Sequence, residues 1–326
     1  MQNKTYLVTG GSGFVGSRLC SAITAAKDDL RLYLRRHVDG IDGEQYICDF
    51  EQDFIPEEGL NGVDTVFHLA GFTHDLRDTS ETEYLYRAIN VDATIHLAEL
   101  AVKNGVKHFV YVSSSKAGGS AQPGKCMNEM DQCEPEGIYG QTKRMAELKL
   151  LEIGKHSDMH VSIVRPSLVY GVGVKGNLRM MLNGIDKGWF PPIPDTHNRR
   201  SMIHVDDLVR VLLLLSKDKR ASGEIFIATD GHDYSSRMIY EAMCKAVERK
   251  IPRWRLPNVF FNSLAMLGDF LKRYIPFPFD SYRYQKLLGD ECFSSHKLQT
   301  LLEFKPNDSL YDVLPSMVSA LRCEKK

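Results

Sequence analysis

The stretch Thr5-Tyr6-Leu7-Val8-Thr9-Gly10-Gly11-Ser12-Gly13-Phe14-Val15-Gly16 carries the reading on which the fold turns. Its opening residues are β-branched, aromatic or aliphatic, the composition of a strand. Glycines then stand at 10, 13 and 16, directly before an amphipathic segment. That spacing lets the backbone turn tightly and admits a pyrophosphate against the next helix N-terminus, where unpaired N–H groups and the helix dipole favour an anion. A Gly-x-x-Gly-x-x-Gly run alone is also an ordinary strand-to-helix turn. The strand before it, the helix after it and a second motif far downstream favour a dinucleotide turn.

Apolar runs recur at 5–9, 31–34, 45–48, 65–69, 109–112 and 161–164, with helical patterns at 14–26, 81–103 and 137–155. This alternation predicts a parallel sheet covered by helices on both faces, a doubly wound α/β (Rossmann) fold. Beyond Arg165 the pattern loosens. Residues 171–200 hold five glycines and three prolines and are expected to cross the sheet's carboxyl edge as an irregular segment. A helix at 205–216 and a strand at 224–228 are expected to return to the sheet, and 235–326 reads as short helices and turns. The expected organisation is a dinucleotide-binding domain over 1–166, rejoined by 202–230, with an interleaved smaller substrate domain from 167–201 and 231–326.

The chain has 326 residues, 43% hydrophobic and 25% charged, ample for a core. Its net charge of −1 gives no reason to expect nucleic acid or an anionic membrane as main partner. The N-terminus shows no signal-peptide pattern, because it runs straight into the strand and glycine turn. The most lipophilic stretch, 259–275, is broken by Asn262, Asp269, Lys272 and Arg273 and is too short and polar for a transmembrane segment. It is expected to form a buried or partly exposed helix; docking on a membrane surface is the other reading. Seven cysteines, at 20, 48, 126, 133, 244, 292 and 323, include no Cys-x-x-Cys, and no metal site is expected. They read as reduced thiols of a cytoplasmic protein, with Cys126 and Cys133 the pair close enough in sequence to join.

Tyr139 and Lys143 lie four residues apart in a helical stretch, on one face. A free tyrosine, with a pKa of about 10, is a poor base at neutral pH. A neighbouring ammonium favours the phenolate, and the pair is expected to make a usable general acid–base. Ser113-Ser114-Ser115 follows the run Phe109-Val110-Tyr111-Val112, at the strand end where open α/β sheets bind ligands. Ser115 is expected to hydrogen-bond a substrate carbonyl or alkoxide beside the phenol.

Together these motifs resemble the extended short-chain dehydrogenase/reductase family, in its NAD-dependent epimerase/dehydratase (nucleotide-sugar) branch. The resemblance also rests on Phe67-His68-Leu69-Ala70-Gly71, Asn90-Val91, Val164-Arg165-Pro166-x-x-Val169-Tyr170-Gly171 and Arg200-Ser201-Met202-Ile203-His204-Val205-Asp206-Asp207-Leu208. It implies that Gly10, Gly13 and Gly16 hold the pyrophosphate, with Phe14 and Val15 in the same turn. Asp49 and Phe50 would contact the adenine, and Leu69, Ala70 and Gly71 would line the adenosine–ribose side. Ser115, Tyr139 and Lys143 would be the catalytic trio, with Tyr139 and Lys143 also on the nicotinamide side. Asn177 and Arg200 would meet the substrate diphosphate. A homodimer through 81–103 and 137–155 is implied as well.

Two departures bear on cofactor and substrate. Arg35-Arg36 stand about 20 residues beyond the glycines, where an acid would bind the ribose 2′-hydroxyl of NAD; arginine suits the 2′-phosphate of NADP. Leu168 replaces an asparagine common in sugar epimerases and dehydratases, and Lys116-Ala117 replace the dehydratases' acidic pair. The expected activity is NAD- or NADP-dependent hydride transfer at C4 of a UDP-hexose, as 4-keto-sugar reductase or 4-epimerase in surface-polysaccharide precursor synthesis. The arginines tilt that balance toward NADPH and reduction. Redox of an apolar, steroid- or flavonoid-like alcohol and a non-catalytic dinucleotide-binding role are the alternatives.

Overall fold

The computed structural model describes residues 3–324 apart from 74–78, 120–123, 132, 136, 253–256, 273–274 and 276–279, and leaves aside the side chains of 79–81. The strands are β1 (Thr5–Thr9), β2 (Asp29–Leu34), β3 (Glu44–Ile47), β4 (Thr65–His68), β5 (His108–Val112), β6 (His160–Pro166), β7 (Leu168–Tyr170), β8 (Met202–His204) and β9 (Glu224–Ala228). The helices are α1 (Phe14–Ala25), α2 (Thr79–Arg87), α3 (Ala93–Lys103), α4 (Gly137–Lys155), α5 (Gly176–Lys187), α6 (Val205–Leu215), α7 (Ser236–Ala246), α8 (Asn258–Leu271), α9 (Ser281–Leu288), α10 (His296–Leu302) and α11 (Leu310–Cys323).

Seven parallel strands form one sheet in the order β3-β2-β1-β4-β5-β6-β9; β7 and β8 pair separately. The central strands β4 and β5 are almost wholly buried, as strands covered on both faces must be. On one face Leu19 and Ile23 of α1 meet Leu208 and Leu212 of α6. On the other, Leu97 and Ala101 of α3 pack with Ala146 and Leu150 of α4. A third cluster joins Leu182 of α5, Met243 of α7 and Leu314 of α11 beyond the carboxyl edge. The strand order reverses between β1 and β4, and the loops after these two strands flank the crevice where doubly wound folds take ligands.

Two expectations change. Residues 171–200 are not wholly irregular, because α5 occupies 176–187. Leu178, Met181, Leu182 and Ile185 recur at helical spacing and are buried, while Gly188 ends the helix in the left-handed conformation at φ +83°. The glycines that read as loop therefore include a helix stop. The helical pattern at 81–103 is two helices joined by a π-helical turn at 88–92, which turns Asn90 into the interior.

Candidate active site

Gly10 follows β1 with φ +71°, a backbone state that L side chains rarely adopt. A Cβ on Gly16 would lie 2.1 Å from the Gly10 carbonyl oxygen, so the first turn of α1 closes on the loop only without a side chain. Gly13 is the N-cap and donates its N–H to the Gly10 oxygen at 2.9 Å; no side chain caps the helix. Phe14 and Val15 open α1 and are half-buried. This narrow, uncapped helix start fits a dinucleotide's pyrophosphate on steric grounds and on charge.

A buried polar chain fixes the neighbouring loop. Thr9 Oγ1 lies 2.8 Å from His68 Nδ1 and accepts from the N–H groups of Leu69 and Ala70 at 3.2 and 3.0 Å. His68 Nε2 lies 2.9 Å from Thr94 Oγ1. With two N–H groups already on Thr9 Oγ1, its hydroxyl donates to Nδ1, and the imidazole carries its proton on Nε2. Burial, helped by the Lys143 charge, pushes the His68 pKa down to about 3. The ring is therefore a neutral strut between β1 and α3. Asn90 braces the next residues in the same way, its amide accepting from Phe72 N–H at 2.7 Å and donating to Phe72 O at 2.9 Å. Leu69, Ala70 and Gly71 are thereby held beside the glycine turn, each half-buried.

Tyr139 and Lys143 share a face of α4, over the carboxyl end of β5. Lys143 is 2% exposed, donates to the Val112 carbonyl at 3.0 Å and sits 4.6 Å from the Tyr111 ring centre. Burial pushes its pKa down to about 8, against an opposing pull from Glu147. Tyr139 goes the other way from the expectation. Burial raises its phenol to about 12, partly countered by a hydrogen bond with Ser114. The Lys143 ammonium faces the Val112 carbonyl and the Tyr111 ring, and desolvation is the largest influence on the phenol. The serine bonded to Tyr139 is Ser114, while Ser115 opens the short 3-10 turn that follows.

Beneath these groups lies a buried ion pair that sequence reasoning missed. Glu147, one turn beyond Lys143, accepts from Ser113 Oγ at 2.6 Å and from Arg165 Nε and an Arg165 terminal nitrogen at 2.8 and 2.6 Å. Both partners are essentially inaccessible to solvent. The pair ties α4 to β6 and pins the start of the serine run. The signal available was a carboxylate four residues past Lys143, on the face that a helix turns inward.

The remaining candidates are more dispersed. Arg35 and Arg36 are exposed just past β2. Asp49 follows β3 and caps its own turn through Glu51 N–H at 2.9 Å; Phe50 is buried edge-on to His68. Asn177 is exposed in the first turn of α5. Arg200 is 8% exposed, with one terminal nitrogen on Lys286 O at 2.8 Å and the other on Glu291 at 2.7 Å. Its guanidinium holds the end of α9 in this state. Parts of the loops at 72–80 and 117–135 lie outside the described residues.

The cysteine reading is corrected. Cys126 is joined in a disulfide to Cys292, not to Cys133. Met127 N–H donates to Cys292 O at 2.9 Å and Ser294 N–H to Met127 O at 2.8 Å, so two short extended segments bring the sulfurs together. Cys20, Cys48, Cys133, Cys244 and Cys323 form no disulfide.

With this geometry in place, the similarities to known proteins acquire a structural meaning. The model of the NAD dependent epimerase/dehydratase family matches residues 6–228. A UDP-glucose 4-epimerase of Vibrio cholerae is 33% identical over 261 residues, 78% of this chain and 78% of that protein. An N-acetyl-alpha-D-glucosaminyl-diphospho-ditrans,octacis-undecaprenol 4-epimerase of Escherichia coli O157:H7 is 28% identical over 82% of this chain and 78% of its own length. Among solved structures, the UDP-glucose 4-epimerase of Thermotoga maritima with UDP-glucose superposes with a TM-score of 0.79 at 19% identity, covering 99% of this chain and 100% of its own. That likeness speaks for the fold.

Proposed function

The chain belongs to the NAD dependent epimerase/dehydratase family, and from that premise we propose that it is a 4-epimerase of a UDP-hexose, transferring hydride at C4 of the sugar. The observation that carries the reading is Tyr139, half-buried and bonded to Ser114 with Lys143 one helical turn on, at the sheet edge that also bears the glycine cradle. Bound NAD would supply a hydride acceptor for C4 and, in the return step, the donor. Tyr139 takes the proton from the C4 hydroxyl as that carbon is oxidised and returns it as the carbon is reduced from the opposite face. Lys143, held on the Val112 carbonyl, would stabilise the phenolate as the proton is transferred. Ser114 bonds the phenol, and Ser115, the next residue, would hold the sugar oxygen.

The two relatives carry their hexose on different diphosphates, UDP in one name and undecaprenyl diphosphate in the other. UDP is the carrier proposed here, following the more similar relative. A homodimer through 81–103 and 137–155 is part of the proposal, supported by Tyr84 on α2 and Met145 and Leu148 on α4, all large, apolar and exposed. Reduction of a 4-keto sugar by NADPH is the second reading, and the exposed Arg35-Arg36 pair after β2 favours it.

Purified protein, denatured and assayed for nicotinamide, tests the two together. The 4-epimerase reading expects NAD released near one per chain, and interconversion of UDP-glucose or UDP-N-acetylglucosamine with the C4 epimer without added cofactor. An empty site with NADPH consumed on a UDP-4-keto-hexose would overturn it in favour of reduction.

A further inference from the structure

Glu147 lies wholly inside the protein, yet it takes no part in the hydride transfer proposed above. Taking two charges out of water is costly, and apolar residues of similar volume often replace a buried ion pair without loss of stability. Stability alone is therefore a poor reason for the Glu147–Arg165 pair. Its place points to another use. Glu147 stands four residues beyond Lys143 on α4, a spacing that puts two side chains on one face about 5–6 Å apart at Cβ. Arg165 from β6 and Ser113 after β5 grip both carboxylate oxygens and fix their direction.

The groups around the Lys143 ammonium come from several elements. Strand β4 contributes His68, which burial keeps neutral. A Cβ on Gly71 would lie 3.1 Å from Lys143 Nζ and 3.1 Å from Asn90 Oδ1, so the loop after β4 closes on the lysine as well. Strand β5 contributes the Tyr111 ring and the Val112 carbonyl. Helix α4 contributes Tyr139 and Glu147. Of these groups Glu147 alone is charged at neutral pH, and it favours the ammonium where burial opposes it. The Arg165 charge acts on Arg144 rather than on Lys143. Between groups buried this deeply, solvent screens little.

We infer that Glu147 is a positioning residue of the catalytic site, keeping Lys143 in its ammonium form beside Tyr139. Arg165 and Ser113 serve it by holding the carboxylate in place. The inference rests on the catalytic reading of Tyr139 and Lys143, and it gives the missed ion pair a use in the reaction.

NMR of the full chain, with its lysines labelled with ¹³C at Cε, tests this without substrate. The Lys143 resonance is identified by its loss in Lys143→Met, and its midpoint is expected near pH 8 in the unaltered chain. Glu147→Gln should lower that midpoint by about one pH unit, a tenfold loss of proton affinity. Because the single variant strands Arg165 in the interior, Glu147→Gln/Arg165→Met, which removes both charges, carries the test if the single variant does not fold. The same fall is expected there. Ser113→Ala keeps the carboxylate and should leave the midpoint in place. The alkaline limb of turnover should follow the midpoint in every variant. An unmoved midpoint in the double variant overturns the inference, as does a limb that stays while the midpoint falls. A midpoint that falls in a chain inactive on every nucleotide sugar would overturn the catalytic reading instead, and would leave the hold of Glu147 on Lys143 standing.

Discussion

At the carboxyl edge of the sheet, Thr9, His68, Asn90, Glu147 and Arg165 are buried, and each has a hydrogen-bond partner inside the protein. Around α8 the arrangement is inverted: Asp280 turns inward to cap α9 and pair with Lys272, and large apolar side chains face outward. The first region uses buried polarity to hold a few side chains in place, which suits chemistry requiring fixed distances. The second leaves hydrophobic surface uncovered, which suits contact with something else. Overall composition distinguishes neither. Placement does.

The contrast breaks first at Tyr139. Replacing it with Phe removes one hydroxyl from the sheet edge and should lower turnover by about 10²–10⁴-fold, the range for a general acid–base. Cofactor retention, measured after denaturation, should be unchanged. Turnover within about threefold of wild type would take the phenol out of the chemistry.

Next in size is Glu147→Ala, which leaves Arg165 buried without its counter-charge. The expected cost is about 3–5 kcal/mol in urea unfolding. A loss below about 1 kcal/mol, the scale of an exposed pair, would mean that water reaches the guanidinium.

Lys143 sharpens the contrast through pH. Its folded value of about 8 lies below its ordinary value of 10.5, because burial disfavours the charged form. The folded chain therefore binds fewer protons than the unfolded one between those values, and this group makes folding more favourable as pH rises through that window. Catalysis should move oppositely, falling above pH 8 as the ammonium is lost. Lys143→Met should retain lower activity without that alkaline limb; an unchanged limb would assign it to another group. The smallest effect is expected at the other pole. Met266→Ser on α8 should alter unfolding free energy by no more than about 0.5 kcal/mol, as for an exposed site. A loss above about 2 kcal/mol would show that this face is packed.

Much of the fold was legible because the strands buried on both faces read as continuous apolar runs, and the predicted 224–228 strand matches β9. Gly10, Gly13 and Gly16 were legible because spacing alone states the steric demand. Helix α5 was not, because its glycines were taken for loop while its buried stripe went uncounted. The Cys126–Cys292 bond joins residues 166 positions apart, a separation over which sequence gives no register. At the site, sequence placed Tyr139 and Lys143 on one face but misjudged the sign at the phenol, since burial is a tertiary property. The hydrogen bond of Tyr139 with Ser114 was not legible, because it depends on how the loop after β5 turns.

The central claim is that hydride leaves and returns to C4 of a diphosphate-linked hexose at this sheet edge. Its most direct test is proton NMR of UDP-glucose and UDP-N-acetylglucosamine incubated with the protein in deuterated water. The account predicts inversion at C4 with the original hydrogen retained there, because it travels as hydride on a held cofactor. Deuterium at C4, or no inversion with either sugar, would contradict it.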